Sequence, residues 1–182
     1  MTDLGSYGGE QVTEGEVTVT ATLTRSNVVV EAIKETLLAY LGDFMPLPTG
    51  FGADSIHKQS GIAEMKAAHA PAIWIDDKGA DDKDPGAPPD FAMLHTYAID
   101  IEIWDKYGDS ENARAGMNLW RDAVQACLNE HWDLGCPTRA LNCDATKGDP
   151  AADVGGVASD VLWVCTVRAT VEVMAASGSE TL

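Results

Sequence analysis

Six aspartates, Asp76, Asp77, Asp81, Asp82, Asp84 and Asp90, crowd one stretch of fifteen residues, DDKGADDKDPGAPPD. Clustered carboxylates of this kind are the raw material of a calcium site. A calcium loop, however, alternates its acids in an Asp-x-Asp-x-Asp-Gly register and closes with a bidentate Glu at the twelfth position, and this stretch has neither. A solvated loop or an inter-subunit contact fits the composition better. The histidines, His57, His69, His95 and His131, never take the i, i+4 spacing beside a Glu that a helical zinc protease site needs. Cys127, Cys136, Cys143 and Cys165 form no Cys-x-x-Cys pair, so the spacing of a structural zinc site is missing too. No Gly-x-Ser-x-Gly elbow and no phosphate loop occurs. A Cys–His nucleophile pair would meet only in the fold. Cys127 falls on a predicted helix and Cys143 and Cys165 on predicted strands, where they read as reduced core thiols. These residues assemble no catalytic constellation, and we expect no catalytic residue, no metal and no cofactor.

The elements that would position such groups are plainer. Tyr97, Ile99, Ile101 and Ile103 alternate with Ala98, Asp100, Glu102 and Trp104, the period of a strand with one buried and one wet face. After a polar turn, Ala113, Met117, Trp120, Val124, Leu128 and His131 recur at steps of three and four, as on an amphipathic helix. Asp109 or Ser110 can cap that helix, and Gly135 with Pro137 can end it. An earlier helix is expected with Ser26 or Asn27 as cap, with Val30, Ile33, Leu37, Leu38 and Leu41 inward and Gly42 as its stop. Residues 62–69 suggest a weak helical patch. Residues 71–76 read as a short strand, and the Asp-, Gly- and Pro-rich residues 76–90 as a long exposed loop between two strands. Residues 138–145 could be a strand and residues 146–159 a loop. The closing strand is long, with Val161, Trp163, Cys165, Val167, Ala169, Val171 and Val173 on one face. Trp104 lands beside Asp100 and Glu102 on the wet face of its strand; exposed, it would mark an interface, and covered, it would be strand-end packing.

Runs of sequential strands favour an α+β fold: a mostly antiparallel sheet with two main helices packed on one face. We divide the chain into an N-terminal arm and edge strand (residues 1–25), one α+β domain (26–175) and a polar tail (176–182). In the arm, Val17, Val19, Ala21 and Leu23 alternate with Thr18, Thr20, Thr22 and Thr24. Such a strand can edge its own sheet or add to a neighbour's. The net charge of −17 repels nucleic acid and anionic membranes, and no basic cluster offsets it. The first twenty residues carry no apolar signal core, and no apolar run is long enough to span a membrane. The expectation is a soluble protein made in a reducing cytoplasm.

The capped helix over residues 27–41, the Pro-led strand over 71–76, the segment TYAIDIEIWDKYGDSENARAGMNLWRDAVQACL and the closing strand DVLWVCTVRATVEVMA together resemble the tail-terminator and neck (head–tail joining) proteins of tailed bacteriophages. The resemblance is one of pattern over residues 26–175; the Thr-rich strand and the acidic stretch are additions to it. It implies a structural role in the virion. Such a protein forms a ring, usually a homohexamer, that caps the tail tube. Its implied partners are further copies of itself, the tail tube protein, the head–tail connector or stopper and, on some virions, the tail sheath. Genomic DNA would pass through the lumen without specific binding, and assembly would take place in the host cytoplasm. Candidate interface residues are Val17, Val19, Leu23, Asp81, Asp82, Asp84 and Trp104. Two alternatives stand beside this reading: a head-completion or stopper neck protein, and a small cytoplasmic ligand-binding or enzymatic α/β domain.

Overall fold

The structure, a computed structural model, describes residues 25–58, 69–83, 93–135, 141–157 and 160–175. Among these residues, helix α1 (Arg25–Tyr40) is followed by strands β1 (Ile56–Lys58), β2 (Ala72–Lys83) and β3 (Met93–Tyr107). Helix α2 (Ser110–Glu130) comes next, then β4 (Leu141–Lys147), β5 (Ala152–Val157) and β6 (Asp160–Ala175). The strands form one mixed sheet in the order β1-β2-β3-β6-β4, and β5 also pairs with β6. Only the β1–β2 pairing is parallel; the others are antiparallel. The chain has the α+β fold read from its pattern. The arm with Val17, Val19 and Leu23, residues 62–68 of the expected helical patch over 62–69, and the polar tail lie outside the described residues; His69 lies in a turn.

The sheet's inner face is the alternating set read from the sequence. Tyr97, Ile99, Ile101 and Ile103 of β3 and Trp163 to Val173 of β6, at every second residue, are buried in one cluster with Ile73 and Ile75 of β2. Both helices close that face. α2 contributes Ala113, Met117, Trp120, Ala123, Val124, Cys127 and Leu128. Asp109 caps it, accepting from the Asn112 N–H at 2.8 Å, and that hydrogen bond holds the Asp109 carboxyl below its ordinary range. The helix ends at Glu130, and His131–Gly135 form the turn beyond it, so the stop comes before Gly135.

Several sequence expectations are corrected here. α1 begins at Arg25, so Ser26 and Asn27 lie inside its first turn rather than at its cap. Its buried stripe is Val29, Val30, Ala32, Ile33, Thr36 and Leu37, and Leu41, just past its end, continues it. Leu38, one residue and hence about 100° on from Leu37, is exposed. Thr36 is tolerated inside because its hydroxyl donates to the Ala32 carbonyl at 2.8 Å. The stretch from residue 76 is not loop throughout, since β2 continues to Lys83 opposite Leu94. The pairing slips between Asp77 and Ala80, where Gly79 takes φ +110° and its N–H donates to Asp77 Oδ1. A bulge thus absorbs the turn-forming residues, and the long partner strand carries the pairing past them. Residues 152–157, expected as loop, pair with β6 as a bulged hairpin strand. Ahead of it, Gly148 donates to the Thr166 carbonyl, and a Cβ at Gly148 would sit 2.8 Å from that oxygen. Only glycine lets the chain pass so close to β6.

Candidate functional site

The three described cysteines, Cys127, Cys143 and Cys165, are buried and free. Burial pushes each thiol up to about 12, so they stay protonated and are poor nucleophiles. His131, at the end of α2, stacks on Tyr40 with ring centroids 3.8 Å apart and meets Phe44 edge-on, which ties the two helix ends together. The acidic residues spread along the sheet. Asp76 pairs with Lys78, and Asp100 faces both Lys78 and Arg168, which reaches on to Asp149. This charged ladder crosses the outer face from β2 to the loop after β4. Asp81 and Asp82 stand on β2 opposite Thr96 and His95, while Asp84 and Asp90 lie outside the described residues. Among the described residues, no group of three His, Cys, Asp or Glu side chains could hold a metal ion.

Trp104 is covered rather than exposed, at 6% of its free surface. The β2–β3 register puts Ala72 opposite Trp104 and Trp74 opposite Glu102. Trp104 therefore packs with Ala72 and Trp74 in a small apolar island on the otherwise polar outer face, and its indole N–H donates to Glu102 at 3.0 Å. Within one chain this is strand-end packing.

Next to that island lies a groove that sequence reading did not find. The imidazole of His57 stacks on Trp74 (centroids 4.1 Å apart, planes 19° apart), and His69 meets both rings edge-on. The groove holds about 510 Å³ and runs beside β1; Ile56, His57 and Lys58 line it with Lys34 of α1, Asp54, His69 and Trp74. His57 and His69 are too far apart in sequence to suggest a pair, and the parallel β1–β2 pairing joins them by setting His57 beside Trp74. The one sequence signal available was that Trp74 alternates with the inward-facing Ile73 and Ile75 and so belongs to the outer face. No protein-family model matches the chain, and no curated protein matches it in sequence.

The two ends of the sheet are built differently. At β4, the Asn129 amide of α2 clamps the outward backbone of Ala145: Ala145 N–H donates to Oδ1 at 2.7 Å, and Nδ2 donates back to the Ala145 carbonyl at 3.0 Å. Gln125 donates to the same carbonyl, and Cys143 N–H donates to the Trp132 carbonyl. Helix side chains and backbone thus occupy groups that an added strand would need. At the other end, β1 pairs with β2 on one side, and among the described residues no strand pairs with its other side.

Burial pulls the His57 pKa below 6.5, helped by the charges of His69 and Lys34 and opposed by Asp54. The folded chain therefore keeps His57 neutral where the unfolded chain binds a proton. The contribution is whole above about pH 6.5 and is lost as pH falls from there toward the lower folded value. In urea titrations at about pH 7.5 and about pH 5, His57→Gln should flatten the acid loss of stability relative to the parent chain. Equal slopes would show that His57 is not desolvated in the fold.

Proposed function

We propose that this chain is a structural virion protein that assembles head-to-tail into a ring, closing the tail tube and joining it to the head–tail connector. The observation that carries this reading is the unlike pair of sheet ends. At one end the outward backbone groups of Ala145 and Cys143 are occupied by α2 and the turn after it; at the other, among the described residues, no strand pairs with the far side of β1, which borders a groove. A closed ring is built from heterologous contacts, in which one surface meets a different one on the next copy. A sheet with one blocked and one receptive end favours such contacts over a two-fold dimer formed edge to edge. The helices seal the inner face, so the wall of such a ring would present the wet outer face and the loops. A net charge of −17 on each subunit would let DNA pass through the lumen without adhering.

The reading is tested in an infection that lacks the chain. Heads and tails should accumulate unjoined, and supplying the chain should restore joined particles. Joined particles formed in its absence would overturn the proposal.

A further inference from the structure

We propose that β1 is an acid-released edge strand: protonation of His57, held beside His69 and Lys34, undocks β1 from β2 while the rest of the sheet stays folded. The inference is separate from the ring reading and holds for a single chain. Geometry carries it. His57 stacks on Trp74 with centroids 4.1 Å apart, and the His69 ring lies edge-on to it at 5.0 Å. The His57 Nε2 is enclosed and meets no hydrogen-bond partner among the described residues. Histidine gains its charge between about pH 8 and about pH 5, and in the cation both ring nitrogens are donors. Protonation therefore leaves a charged N–H enclosed without an acceptor, which costs more than a neutral nitrogen in the same place.

The charges around His57 are divided. His69 and Lys34 of α1 oppose a cation there; Asp54, in the 3-10 turn Ala53–Ser55, favours one, as does the face of the Trp74 indole. The remaining neighbours are already engaged: Glu31 of α1 with Lys58, Asp76 with Lys78, and Glu102 with the Trp104 indole. Desolvation is the largest influence, and it holds His57 neutral to below its ordinary 6.5. Acid thus acts against the docked strand, and docking is whole above about pH 6.5. β1 is also the strand that gives way most easily. It is three residues long, pairs with β2 alone among the described residues, and puts only Ile56 into the main core, where β3 puts Tyr97, Ile99, Ile101 and Ile103. The Lys58–Glu31 pair is solvent-exposed and adds little to hold it. Segments with so few buried apolar contacts open before the rest of a fold.

The test is hydrogen exchange of the full chain at about pH 7.5 and about pH 5, corrected for the pH dependence of free-amide exchange. Peptides covering residues 54–58 should lose protection at the lower pH, while those covering 97–103 and 163–173 keep theirs. His57→Gln, which cannot take the proton, should abolish most of that loss. His69→Gln should abolish a smaller part, because burial outweighs the His69 charge. In the parent, the His57 imidazole followed by NMR should titrate below 6.5. Should either variant fail to dock β1, the parent's two measurements decide. Protection of 54–58 that acid leaves unchanged overturns the inference, as does a loss shared equally by β3 and β6, which is global unfolding. So does a His57 that titrates at or above 6.5, or a loss that persists in full in His57→Gln.

Discussion

Trp120→Ala lowers the unfolding free energy by about 3–5 kcal/mol, the usual range for emptying a buried tryptophan site. Trp120 sits in the middle of α2, is 2% exposed and packs in the main core, with the Phe51 ring 5.3 Å away. Its indole N–H donates to Asp105 Oδ2 at 3.1 Å, joining the helix to the end of β3. Truncation therefore opens a cavity between helix and sheet and also leaves the Asp105 carboxylate without that donor. For a domain of this size the loss corresponds to a fall of roughly 10 °C in melting temperature. Trp120→Phe keeps most of the packing and loses the hydrogen bond, so it should cost nearer about 1 kcal/mol before any repacking. Urea denaturation of the three chains checks the order. A Trp120→Ala loss no larger than that of Trp120→Phe would mean that the ring is not the packing element described.

The second large effect is expected at Asn129. In Asn129→Leu the Ala145 N–H loses its acceptor, although Gln125 still donates to the carbonyl. One stranded backbone donor at a partly buried edge costs about 1–3 kcal/mol. The more telling consequence concerns association. With the clamp gone, the Ala145 N–H of β4 is open to another strand, and exposed edge groups of this kind pair with other strands. The variant should therefore form concentration-dependent edge-to-edge species that the parent does not, seen as a rising average mass in dilution-series light scattering. A variant that is destabilised yet keeps the parent's association behaviour would show that Asn129 only supports the fold and does not guard the edge.

The residues that made the fold legible are those whose burial follows a simple period. β3 and β6 each present an unbroken apolar face against polar neighbours, and α2 repeats its apolar residues at three and four, so their inner faces were readable as written. β1 is three residues long, too short to show any period, and it becomes a strand only because β2 lies beside it. Gly155 and Gly156 concealed β5, and Asp77 with Gly79 concealed the second half of β2; in both, a bulge lets turn-forming residues continue a ladder. The groove was the least legible feature. It needs His57, His69 and Trp74 at one place, and no local pattern links those positions. Trp104 shows the reverse limit. Its strand face was read correctly, but its burial depends on Ala72 and Trp74 from the neighbouring strand.

The central claim is head-to-tail assembly into a ring, and the most direct measurement is the mass of the full chain by light scattering behind size exclusion, with negative-stain images of the same peak. The account predicts a single closed oligomer, a hexamer on the resemblance, with a central hole. A compact two-fold dimer without a hole would contradict it, because a dimer pairs like surfaces and leaves the two unlike ends of the sheet without their proposed role.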